Sequence, residues 1–150
     1  MGSMTNATRL PDWAKDRTVC VCFGAGVDST AMLIRMIRMG IRPEVITFAD
    51  VGAERPETYE HYETFSDFLV EFGFPRPKTC VYKPEAKTQA RYEQGAQHVF
   101  DYFGINADEH TLSRWSRLYG NMLANETLPG IAFSVKSCSV KWKIVPQEHW

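Results

Sequence analysis

A chain of 150 residues, 44% apolar and 23% charged, is long enough to bury a core and has the makeup of one globular domain. Its formal charge of -1 excludes a global electrostatic field that would recruit nucleic acid or an anionic membrane. No apolar run spans a membrane and none has the order of a signal peptide, so the expected location is the cytoplasm.

Met1, Gly2, Ser3 and Met4 read as a cloning remnant followed by the native start, and residues 1–16 as a polar arm before a domain over 17–150. Thr18-Val-Cys-Val-Cys-Phe23 is a continuous apolar run, as in a strand buried on both faces of a parallel sheet. Ser29 to Met39 predicts a helix buried against that sheet and stopped by Gly40. Val45 to Phe48 predicts a second strand, and Pro56 with Glu57 the start of a second helix. Tyr62, Phe65, Leu69 and Phe72 recur at helical spacing and predict its core face, with Gly73 ending it. Thr79 to Tyr82 predicts a third strand. The alternation implies a parallel sheet with right-handed crossovers.

Further along, Ala86 to Phe103 is mixed and Leu112 to Leu123 suits a helix. Ile131-Ala-Phe-Ser134 suits another strand, and Val140 to Val145 fits either a strand or the start of a helix. Cys20, Cys22, Cys80 and Cys138 form no Cys-x-x-Cys pair and are expected to be buried thiols, Cys20 and Cys22 on one face of their strand. His61, His98, His110 and His149 lack metal-ligand spacing, Arg55, Arg114 and Arg117 read as surface charges, and the tryptophans read as packing residues.

The segment most informative about chemistry is Gly24-Ala25-Gly26-Val27-Asp28-Ser29-Thr30, between a strand and a helix. A glycine-rich turn there aims backbone N–H groups and the helix dipole at an anion. Ser29 and Thr30 are candidate hydroxyl donors, and Asp28 suits a cap or a magnesium ion bridging phosphates. The segment lacks the Gly-Lys-Ser/Thr of a Walker loop. A dinucleotide reading has Gly24 and Gly26, with Asp50 spaced for a ribose, but Ser29 in place of the third glycine.

Gly24-Ala-Gly-Val-Asp-Ser29 resembles the PP-loop, Ser-Gly-Gly-x-Asp-Ser, of ATP pyrophosphatases and phosphoadenosine phosphosulfate (PAPS) reductases, with Gly24 and Ala25 as its departures. Asp50-Val-Gly52, followed by Pro56-Glu57-Thr58, resembles the family's Asp-Thr-Gly…Pro-Glu-Thr segment. Ser137-Cys138-Ser-Val-Lys141-Trp-Lys143-Ile-Val-Pro146 resembles the late Cys-Cys-x-x-Arg-Lys-x-x-Pro segment of sulfonucleotide reductases, with Ser137 in place of the first Cys and one extra residue between Cys138 and the Pro. The wording from Leu118 to Pro129 is most like phage-encoded members, so the cytoplasm would be that of a bacterial host.

The resemblance implies an α/β fold of the adenine nucleotide alpha-hydrolase type, a three-layer doubly wound sandwich whose mostly parallel sheet has about five strands. It implies that residues 24–30 take phosphates, Asp50 and Gly52 line the nucleoside, and Lys141 and Lys143 neutralise phosphate or sulfate. In a strand, those two lysines would share a side. Asp28 and Lys143 are the candidate catalytic residues, and Asp28 the candidate magnesium ligand. The implied ligand is ATP or PAPS with an unidentified second substrate. ATP would be cleaved at the α-phosphate, releasing pyrophosphate. Reductase chemistry would need a cysteine in a Glu-Cys-Gly-x-His tail, a motif the chain lacks, and the paired cysteines of an iron–sulfur cluster are lacking too. The chain stops soon after the late lysines, which leads to the expectation of a shortened form, or of a site completed by a homodimer or partner subunit. A non-catalytic nucleotide-binding or phage–host interaction module is the alternative from another class.

Overall fold

The computed structural model describes residues 16–127 and 139–149. It divides into two compact units, one of residues up to 48 with 56–79, the other of 49–55 with 80–150.

The first unit holds the alternating elements. They are β1 (Cys20–Cys22), α1 (Val27–Met39), β2 (Val45–Ala49), α2 (Pro56–Glu71) and β3 (Lys78–Cys80). The sheet order is β1-β2-β3, so β2 is central. β1 and β2 run parallel, with Val21 opposite Ile46 and Cys22 opposite Thr47. Two successive crossovers in one direction put α1 and α2 on the same face of the sheet. There, Val21, Phe23, Ile46 and Phe48 meet Leu33 of α1 and Tyr62, Phe65 and Leu69 of α2. Phe48 and Tyr62 have ring centroids 4.5 Å apart, and Phe23 and Phe65 5.4 Å. Each such ring contributes about 1.5–3 kcal/mol by leaving water, so this cluster dominates the unit's stability.

The α/β alternation is as expected, with corrections. Three strands are present among the described residues, not about five. Ile131 to Ser134 lies outside the described residues, and Val140 to Val145 is helical. β1 is buried on one side only, because side chains alternate across an edge strand. Cys20 and Cys22 do share a face, but both are exposed, and only Cys80 is a buried thiol as expected; Cys138 lies outside the described residues. α1 buries Leu33 fully and leaves Met32 exposed, because a helix lying on a sheet covers one stripe. α2 ends at Glu71, so Phe72 falls beyond its core face and is 54% exposed. Gly40 closes α1 in the left-handed conformation, its N–H donating to the Ile37 and Met36 carbonyls.

The second unit is helical. It contains α3 (Ala86–Phe103), α4 (Glu109–Trp115), α5 (Leu118–Asn125), a π-helical stretch (Val140–Ile144) and α6 (Val145–Glu148). The mixed segment 86–103 is one helix because Tyr92, Ala96 and Phe100 lie four apart and are all buried. Gly120 lets α5 approach α3: a Cβ there would lie 2.6 Å from the Tyr92 carbonyl oxygen. The unit's core gathers Val51, Tyr92 and Trp142, with Tyr82, Leu118 and Ala124 around them. No described helix is long and apolar enough to cross a membrane.

Candidate functional site

The sequence-predicted site residues divide between the units. Residues 24–30 belong to the first, and Asp50, Gly52, Lys141 and Lys143 to the second.

In the first unit, β1 delivers the chain through Phe23, whose N–H donates to the Thr47 carbonyl at 2.8 Å. The next three residues turn it into α1. The left-handed position is Ala25, at φ 53°. Gly24 and Gly26 lie outside that region, and a Cβ on either would meet no atom within 4 Å. Neither backbone angles nor a close contact therefore dictates these two glycines. An alanine carries the left-handed cost, about 1–2 kcal/mol. The glycines instead leave the mouth of the turn bare of side chains.

Gly26 is the N-cap of α1 and provides no side-chain cap. Asp28, exposed in the first turn, is therefore not the cap. The Thr30 N–H makes the first helical bond, to the Gly26 carbonyl at 3.0 Å. Helix geometry leaves the N–H groups of Val27, Asp28 and Ser29 without intrahelical acceptors. The two hydroxyls expected as donors are already engaged. Ser29 Oγ donates to the Gly26 carbonyl at 3.1 Å, and Thr30 Oγ1 is 2.9 Å from His61 Nε2.

His61 is a residue that sequence reasoning passed over. It sits in the second turn of α2, half-buried, its ring stacked on Phe65 at 5.6 Å. The only sequence signal was helical phase: it follows Glu57 by four positions and precedes Phe65 by four. Beside it opens a cleft of about 500 Å³. The loop (Ala25, Gly26, Val27) and α1 (Thr30, Ala31, Ile34) form one wall, and Glu57, Thr58 and His61 of α2 the other.

On β1, partial burial pushes the Cys20 thiol above its ordinary range. The neighbouring Cys22 adds to this, and a hydrogen bond with Thr47 opposes it.

In the second unit, Asp50 is buried. Its Oδ1 accepts the Gly52 N–H at 2.8 Å, and its Oδ2 is bound by the Arg117 guanidinium. Arg117, expected as a surface charge, is 20% exposed and Asp50 11%. Both carboxylate oxygens thus serve the fold, which leaves the predicted ribose contact poorly supplied. Gly52 is at φ 73°, and a Cβ there would lie 2.3 Å from the Arg114 carbonyl oxygen. The loop 50–52 is clamped against the start of α5, where the Leu118 N–H donates to the Val51 carbonyl at 3.2 Å.

The two late lysines do not share a side. In a helical stretch, positions two apart point in different directions. The change follows from Trp142, 2% exposed and packed edge-on against Tyr82 at 4.9 Å. Lys141 Nζ donates to the Tyr92 hydroxyl at 3.1 Å and lies 5.0–5.6 Å from the ring centroids of Tyr82, Tyr92 and Trp142. Lys143 is 51% exposed and pairs with Glu54 at 3.2 Å. A smaller cleft of about 220 Å³, lined in part by Tyr82, Lys83 and Arg117, lies in this unit.

Among the described residues, no group of three or more His, Cys, Asp or Glu side chains is placed to hold a metal ion. Asp28 would hold magnesium only together with ligand oxygens and water, the usual arrangement for that ion. Compared with family models, curated proteins and solved structures, the chain gives no match.

Proposed function

We propose that this chain is an adenine-nucleotide-binding protein of the PP-loop type, related to the PAPS reductases, that cleaves ATP at the α-phosphate. The observation that carries this reading is the turn from Gly24 to Thr30. It combines a left-handed Ala25, an uncapped helix start at Gly26 and an adjoining cleft of about 500 Å³. The N–H groups of residues 27–29, left without intrahelical acceptors, and the positive end of α1 suit a phosphate.

In this reading an oxygen of a second substrate attacks the α-phosphorus, the bond to the bridging oxygen breaks, and pyrophosphate leaves. Magnesium, when bound, neutralises the charge that gathers on the phosphates. The backbone donors of residues 27–29 hold the phosphate without reorganising. Asp28, exposed at the helix start, would help hold that ion. Lys143 is the better of the two lysines for a catalytic role, since the Lys141 ammonium is enclosed by Tyr92 and three rings. NAD is disfavoured by the engagement of Asp50 with Gly52 and Arg117. The finer fold assignment, a doubly wound sandwich of the adenine nucleotide alpha-hydrolase type, belongs to the same proposal.

The test is calorimetric titration of ATP, PAPS, AMP and NAD, with and without magnesium, into the parent protein and Asp28→Ala. ATP binding that magnesium strengthens and the substitution weakens is expected, followed by release of pyrophosphate once a second substrate is supplied. ATP binding without pyrophosphate release on any candidate acceptor would favour the non-catalytic module. Binding of no adenine nucleotide would remove the proposal.

A further inference from the structure

The smaller cleft lies wholly within the second unit and has a different chemistry from the one beside the loop. Residues 81–84, which follow β3, line it together with Gln89 of α3, Ser113 of α4 and Arg117. Two of these side chains, Lys83 and Arg117, are cations, and neither Asp nor Glu lines the cleft.

The loop 50–52 sets Arg117 in place. A Cβ on Gly52 would lie 2.9 Å from Arg117 Cδ and 3.1 Å from its Cβ, so the missing side chain makes room for the arginine stem. Arg117 Nη1 donates to Asp50 Oδ2. A guanidinium carries several N–H donors in a planar fork, and this pairing uses one. Among the described residues, the Arg117 side chain has no second partner, and no unpartnered side-chain nitrogen is buried. The remaining donors therefore reach solvent, although the side chain as a whole is only 20% exposed. Lys83 is exposed and pairs with no described carboxylate. The Gln89 amide, by contrast, is spent: its Nε2 donates to Glu93 and to Ser116, both at 2.9 Å.

Charge and size point to the ligand. Two cations line the cleft and Asp50 offsets one of them, which leaves a field suited to a monoanion. The volume of about 220 Å³ is below the range of about 300–1,000 Å³ found for drug-sized ligands, so the anion is small. Val81 and Pro84 give it an apolar flank.

We propose that this cleft binds a small organic carboxylate. Arg117 grips the carboxylate through the donors that Asp50 leaves open, Lys83 supplies a second charge, and Val81 and Pro84 flank the short carbon chain. Asp50 and Gly52 are positioning residues, acting through Arg117. The inference stands apart from the reading of residues 24–30 and does not depend on nucleotide binding.

The experiment follows amide chemical shifts of the full chain by NMR while sodium chloride is replaced by sodium propionate, or by sodium phosphate, at constant ionic strength. Propionate is expected to shift the amides of Val81, Lys83 and Ser113 saturably. Lys83→Gln should raise the propionate Kd about fivefold, and Arg117→Lys, which keeps a cation for Asp50 but loses the fork, about tenfold. Because Lys83 is exposed, its variant keeps the test decisive even where Arg117→Lys fails to fold. No saturable change with propionate overturns the proposal, as does a Kd that Lys83→Gln leaves unchanged. Phosphate binding more tightly than propionate overturns the carboxylate assignment. Each of these failures leaves the loop reading intact.

Discussion

The Asp50–Arg117 pair decides whether the loop after β2 belongs to the fold or to a ligand. Asp50→Asn keeps an oxygen for the Gly52 N–H and removes the charge facing Arg117. Arg117→Met removes the other charge and keeps much of the side chain's bulk. Breaking a buried pair by deleting one partner costs about 3–5 kcal/mol. Arg117 is 20% exposed, so water screens part of the interaction, and about 2–3 kcal/mol is the better expectation for each single variant. The double variant leaves no stranded charge and should lie within about 1 kcal/mol of either single one, a coupling of about 2 kcal/mol. Urea unfolding at pH 7 reads this out. With slopes of about 1–3 kcal/mol per molar, the midpoint should fall by on the order of 1 M in each single variant and hardly further in the double. Single effects below about 0.5 kcal/mol that simply add would refute the reasoning, and would return Asp50 to the pool of residues available to a ribose.

Ala25→Gly relieves a left-handed alanine by about 1 kcal/mol but loses a buried methyl worth about 0.8, so its unfolding midpoint should barely move. Ala25→Val puts a β-branched residue at the same φ and should cost about 2 kcal/mol; equal stability of the two would mean the turn is not held left-handed. Lys141→Met should lose about 1–2 kcal/mol through the Tyr92 hydrogen bond and the aromatic faces, whereas Lys143→Ala should lose under about 0.5, both read by urea midpoint. Asp108 caps α4 through the Thr111 N–H, which holds its carboxyl below the ordinary range. Its stabilisation is complete above the unfolded-state value near pH 4 and is lost as pH falls through the lower folded value, so amide exchange at Thr111 should accelerate there in the parent and be insensitive in Asp108→Asn.

The elements of the first unit were legible because each carries a local signal. Gly40 stops α1, Pro56 opens α2, and Tyr62, Phe65 and Leu69 mark a face by spacing alone. The face of β1 was not legible. An apolar run of six residues fits a strand covered on both sides, and only its pairing shows that Cys20 and Cys22 lie on the exposed one. The late Lys-Trp-Lys segment left strand and helix both open. Its alternation mimics a strand, but burying the large Trp142 against Tyr82 and Tyr92 accompanies a helical winding that sends the two lysines different ways.

The site shows where such reading stops. Thr30 meets His61 across 31 positions, and Asp50 meets Arg117 across 67. Residue type announces that each group could pair, and only the tertiary fold says with what. The loop itself offers a different lesson. Its two departures from the motif, Gly24 and Ala25, look in sequence like erosion of a phosphate site. In the structure, Ala25 holds a left-handed conformation that an alanine does not prefer, while the bare positions at Gly24 and Gly26 flank it. A plain strand-to-helix turn has no need of that strain, since many unstrained conformations connect the same elements. Ala25 is left-handed and the N-cap Gly26 extended, at φ −96° and ψ 171°, directly before a helix start whose first N–H groups lack intrahelical acceptors. The proposed phosphate site therefore rests on this turn, and the ligand titration tests it here rather than at the late lysines.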